Sequence, residues 1–104
     1  MKVIVRRKDR WEITITSWAV ARSLEEYLRQ GGDVEPEVRR VALVDYSALP
    51  PGEEIKVVEW YDRTNGVLRY TVLSQDGLRE ERCGSWEEAL VTAGVMAVQI
   101  RRLG

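Results

Sequence analysis

Apolar residues along this chain alternate with a period of two in several stretches and of three to four in two others, so strands and helices can be placed before composition is considered. The strongest signal lies between Ile55 and Asp76. Two runs rich in β-branched and aromatic residues flank Asn65-Gly66, a dipeptide that tolerates the positive φ angles of a tight hairpin turn. With Asn65 and Gly66 as a two-residue loop, Asp62 stands opposite Arg69, Tyr61 opposite Tyr70 and Val58 opposite Leu73. One hairpin face then carries Val57, Tyr61, Leu68, Tyr70 and Val72; the other carries Val58, Trp60, Val67, Thr71 and Leu73. Both faces are largely apolar, whereas a sheet wet on one side shows clean alternation. Each face therefore needs a cover, from helices of the same chain or from a second subunit.

The remaining elements follow in order. Lys2–Arg7 and Trp11–Thr16 read as a hairpin around Lys8-Asp9-Arg10, with Trp11, Ile13 and Ile15 alternating with polar residues. Ser17 can cap a helix whose apolar stripe is Val20, Ala21, Leu24, Tyr27 and Leu28, with Gly31-Gly32 at its end. A later start capped by Ser23 also fits. Val38–Tyr46 contains the unbroken run Val41–Val44 and reads as a strand buried on both faces, and Pro50-Pro51-Gly52 as loop. Asp76-Gly77 is a second hairpin turn, and the charged segment Leu78–Cys83 an edge strand.

Ser85-Trp86-Glu87-Glu88 has the form of a capping box, followed by Ala89, Leu90 and Ala93 on one helical side. Gly94 is read as the stop, with Val95–Arg102 as a last strand directing Met96, Val98 and Ile100 inward. The competing reading carries the helix through Gly94 to Leu103, at about 1 kcal/mol for the internal glycine. The predicted class is α+β: a single domain over residues 1–104 with a mainly antiparallel sheet of six or seven strands and two helices packed on it, in the order β-β-α-β-β-β-(β)-α-β.

Composition changes this picture little. The 104 residues include 16 basic and 17 acidic side chains, which gives no global pull toward nucleic acid or an anionic membrane. No run approaches the roughly 18–20 apolar residues of a membrane helix, and the first residues lack the form of a secretory signal. With one cysteine, Cys83, no internal disulfide can form, and the expected location is the cytoplasm.

Candidate chemistry is narrow. The chain has no histidine, which removes Ser-His-Asp and Cys-His arrangements and histidine-containing zinc sites. Cys83 has neither a neighbouring base nor a second thiol and reads as an ordinary free cysteine. No glycine-rich phosphate loop occurs. Asp45, a loop, and then Glu54-Ile55-Lys56 resembles the metal-binding core of the PD-(D/E)xK nuclease family. That resemblance implies that Asp45 and Glu54 would hold a divalent cation and Lys56 would activate or orient water, within an α-β-β-β-α-β order over residues 17–102. Tyr70–Leu103 is similar in outline to HicB-type antitoxins, without their proline-glycine-cysteine segment.

A nucleic-acid surface would use Arg6, Arg7, Lys8 and Arg10 on phosphates and Trp11 on an unpaired base, enlarged by Arg39-Arg40 and Arg101-Arg102 if the fold gathers them. Four tryptophans and four tyrosines without any phenylalanine suit a protein that meets partners. Trp18, off the stripe of its helix, is the one expected at the surface. The resulting expectation is a small non-enzymatic protein acting by protein–protein recognition as a homodimer, joined through the less well covered sheet face. It requires no cofactor or metal, and the metal-dependent nuclease and the nucleic-acid-binding module are the alternatives.

Overall fold

The computed structural model describes residues 2–6, 10–15, 17–30, 32–46, 53–74 and 79–103, with 2–6, 10, 11, 15, 45, 46 and 101–103 described by backbone alone. The elements are β1 (Lys2–Arg6), β2 (Arg10–Ile15), α1 (Trp18–Arg29), β3 (Pro36–Tyr46), β4 (Ile55–Asp62), β5 (Val67–Ser74), β6 (Glu80–Cys83) and α2 (Trp86–Leu103). The strands form one antiparallel sheet in the spatial order β1-β2-β3-β4-β5-β6. Five of them are five to eleven residues long, and β6 is a four-residue edge.

The expected architecture, which closes on a strand after the second helix, is overturned: the chain runs β-β-α-β-β-β-β-α and ends on α2. Val95–Leu103 continues α2 instead of forming a strand. The physical reason is the sheet face beneath it. Ala89, Leu90, Ala93, Met96 and Ala97 form one buried cluster with Ala42, Val44, Ile55, Val57 and Val72, and Trp86 and Ile100 pack at its margin. Burying one large aliphatic side chain contributes about 1.5–3 kcal/mol, which exceeds the ~1 kcal/mol that Gly94 costs in a helix interior. An extended 95–102 would turn Val98 inward with Met96, whereas Val98 is half exposed.

The helices lie on opposite faces. Leu24 and Leu28 of α1 pack with Val41, Val58, Trp60 and Leu73, while α2 covers the residues that alternate with these. Of the two covers the apolar faces allow, the chain's own helices supply both at β3–β5, where Val41, Ala42, Val44, Ile55, Val57, Val58 and Val72 are buried.

The hairpin register also needs correction. The loop between β4 and β5 has four residues, Arg63–Gly66, and the pairs are Asp62↔Val67, Tyr61↔Leu68, Trp60↔Arg69, Glu59↔Tyr70 and Val58↔Thr71. The shift from the two-residue loop is an even one, so every side chain keeps its face. Asp62 causes the shift. Its Oδ1 accepts the N–H groups of Thr64 and Asn65 at 3.0 and 3.2 Å. Its Oδ2 accepts Asn65 Nδ2 at 2.7 Å and Arg69 Nε at 3.0 Å. Gly66, at φ 68°, closes the loop by donating its N–H to the Asp62 carbonyl at 2.7 Å. The Asp62–Arg69 pair is thus present, reached diagonally across the ladder.

The helix caps differ in detail from expectation. Ser17 occupies the α1 N-cap position but makes no side-chain cap bond. At α2, Ser85 Oγ accepts the Glu88 N–H at 3.1 Å, whereas Glu88 Oε2 accepts the N–H of Gly84 at 2.9 Å, not that of Ser85. The Asp76-Gly77 turn and the Pro50-Pro51-Gly52 loop lie outside the described residues.

Two outcomes follow from this packing. Leu90→Ala lowers the unfolding free energy by about 2–5 kcal/mol, against less than about 1 kcal/mol for Leu68→Ala on the exposed end of β5, as measured by urea denaturation. The hydrogen bonds from Asn65, assisted by Arg69, hold the Asp62 carboxyl below its ordinary value against the opposing effect of burial. A depressed folded-state pKa stabilises fully above the unfolded value and is lost as pH falls through the folded one. Asp62→Asn is therefore less stable than wild type at neutral pH, and the difference between their urea midpoints shrinks as pH falls below about 4.

Candidate interaction surface

The outward side of α2 carries an apolar stripe. Its inward positions 89, 90, 93, 96 and 97 are buried, yet Val91, Val95 and Val98 stand 67%, 54% and 51% exposed. Their spacing of four and three residues aligns them on one side of the helix. Gly94 lies between them. The first turn is acidic, with Glu87 and Glu88, and the last contains Arg101 and Arg102. A helix with one packed face ordinarily shows charge on the other; here the other is aliphatic.

A second feature lies at the start of α1. Trp18 is 74% exposed, with the Arg22 guanidinium 5.2 Å from its ring centroid. Trp18, Ala21, Val38 and Arg39 border a shallow depression of about 200 Å³. This is the exposure expected of Trp18, and it contrasts with Trp60, which is 5% exposed and donates its indole N–H to Thr71 Oγ1 at 3.0 Å.

A groove of about 380 Å³ opens on the α1 side of the sheet, among Tyr27, Leu28, Trp60, Arg69, Glu80 and Arg82. Its polar groups already serve one another. Tyr27 donates to Glu80 Oε2 at 3.3 Å, and burial followed by the Glu80 charge raises the Tyr27 pKa. Arg69 is held by Asp62 at 3.0 Å, and Arg82 lies 3.9 Å from Glu80.

Arg39 and Arg40, which could enlarge a basic patch around residues 6–11, each lie over an aromatic ring of the chain. Arg39 lies over the Tyr61 ring at 4.9 Å. Arg40, displaced from it by the irregularity between Val38 and Arg40, lies 3.6 Å from the Trp86 ring centroid and 3.1 Å from Glu59 Oε2. Glu59 also engages Tyr70, whose pKa is raised by burial first and by the Glu59 charge second. Arg63 bridges Glu35 and Glu37 at 3.6 and 3.2 Å. Arg6 and Arg10 are placed by backbone only, opposite Trp11 and Tyr46, and Arg7 and Lys8 lie outside the described residues.

For the nuclease resemblance, the β3–β4 ladder pairs Leu43 with Lys56 and ends at Val44↔Ile55. Asp45 and Glu54 therefore flank its last pair. The Asp45 side chain is outside the description. Among the described residues, no three acidic, cysteine or histidine side chains are grouped for a metal ion. The element order from α1 onward is α-β-β-β-β-α, not the α-β-β-β-α-β that the resemblance implies.

Sequence reasoning missed Val91 and Val95 as surface residues, although their spacing relative to Leu90, Ala93 and Ala97 was the available signal. No helix among the described residues is long and apolar enough to cross a membrane. The chain matches no known family model, no curated protein and no solved structure, so the HicB likeness gains no support although its tail is helical.

The two tryptophan environments give a direct check. Trp18→Ala changes the unfolding free energy by less than about 0.5 kcal/mol and lowers the acrylamide-accessible fraction of the emission, whereas Trp60→Ala costs about 3–5 kcal/mol.

Proposed function

We propose that this protein acts by recognition rather than catalysis, as a homodimer joined through the outward face of α2. The observation that carries the reading is the exposed stripe Val91, Val95 and Val98 on a helix whose opposite face is already packed. Such a stripe gains stability when covered, at about 25 cal/mol for each Å² of apolar surface removed from water. The sheet faces supply no comparable surface at β3–β5, where the chain's own helices lie.

Two further features favour recognition over other classes. Arg39 and Arg40 are engaged by aromatic rings of the chain, which makes them less free to enlarge a phosphate-binding surface. The polar groups of the groove beside α1 pair with one another rather than converging on an open point, unlike the lining of a small-molecule site.

Sedimentation-velocity runs across a hundredfold concentration range test the reading. The expected result is a reversible monomer–dimer equilibrium in wild type and a monomer throughout for Val95→Asp, with unchanged circular dichroism. A wild-type monomer at every concentration overturns the proposal.

A further inference from the structure

We propose that two copies pack α2 against α2 in antiparallel orientation, about a two-fold axis passing between Gly94 and Val95. This rests on the homodimer reading and adds its geometry. At 100° per residue, positions 87, 91, 94, 95, 98 and 102 fall within an arc of about 100° on the helix. The three exposed valines lie within that arc, Val91 and Val98 near its middle and Val95 at one edge, with Gly94 at the other.

The order of residues along the arc is self-complementary. With the axis between 94 and 95, Val91 meets Val98, Gly94 meets Val95, and position 87 falls opposite position 102 of the second copy. Glu88 falls opposite Arg101, although its carboxylate already accepts the Gly84 N–H. A closed two-fold contact demands this property, since each patch must fit a copy of itself. Gly94 has no side chain, so Val95 of the other copy can approach the backbone there, as close helix pairs require.

Charge selects the orientation. Antiparallel packing sets the acidic first turn of α2 against the basic last turn of its neighbour, and the helix dipoles oppose favourably. Parallel packing would set Glu87 against Glu87 and Arg102 against Arg102, with both dipoles aligned. Like charges across an interface suppress the wrong arrangement. One helix face is smaller than the roughly 800 Å² per partner of a standard interface, so the affinity expected is on the order of micromolar.

Disulfide trapping in the full chain separates the geometry from the reading beneath it. In a Cys83→Ser background, Val91→Cys and Val98→Cys are oxidised separately and as an equal mixture, at a concentration where wild type is dimeric. The expected result is a 91–98 cross-linked dimer in the mixture and little product from either variant alone. Arg102→Glu weakens association by about three- to tenfold, since symmetry makes the substitution act twice, and adding Glu87→Arg to it restores the wild-type affinity.

Cross-linking of each variant with itself, without the mixed product, overturns the antiparallel pairing while the homodimer stands. Failure of the double charge exchange to recover affinity also overturns that pairing. A dimer that Val95→Asp leaves intact overturns α2 as the surface. A wild-type monomer throughout overturns both proposals.

Discussion

Both faces of the β3–β5 ladder are apolar, and the rest of the fold answers that constraint. Val58, Trp60 and Leu73 project to one side and Ile55, Val57 and Val72 to the other. A sheet of this kind is stable in water only when layers lie on both faces. The chain meets the requirement by placing α1 between β2 and β3 on one face and α2 after β6 on the other. The length of α2 follows from the surface beneath it, which needs Met96 and Ala97 as well as Ala89, Leu90 and Ala93. A glycine that would end an isolated helix is carried along.

The arginines have a consistent structural role. Arg22, Arg39, Arg40 and Arg69 each lie over the ring of a tryptophan or tyrosine, and Arg40 and Arg69 also reach a carboxylate. A planar guanidinium can stack and form directed hydrogen bonds at once, which lysine cannot. At exposed positions each stack contributes about 0.5–1 kcal/mol. Apart from Arg22 and Trp18, which share α1, these pairs lie at joints between elements, and Arg69 also clamps the β4–β5 loop through Asp62.

Much of this was legible in the chain because local rules and tertiary packing agreed. Asn65-Gly66 announced the central hairpin, and its face partition survived because the register error was even. Ser17 marked the beginning of α1 and Ser85 that of α2. The exposure of Trp18 followed from its place off the apolar stripe. The last twenty residues were harder, for a reason tied to the proposed role. A helix with apolar residues on two sides loses the contrast that identifies an amphipathic helix, and Val95–Arg102 then fits a strand equally well. The aliphatic stripe that forms the candidate surface is also what concealed the helix carrying it.

What the sequence determined by itself was the alternation of the strands, the identity of the turn residues, the need for two covers, and the absence of histidine chemistry. These depend on side-chain type and spacing over a few residues. Only the tertiary structure decided which helix took which face, that the β4–β5 loop has four residues, and that α2 runs through Gly94. Those outcomes turn on competing free energies of similar size, a carboxylate collecting four donors against a tighter turn, or buried Met96 against a helical glycine. Contacts between distant segments settle such contests, and those contacts exist only once the sheet has formed.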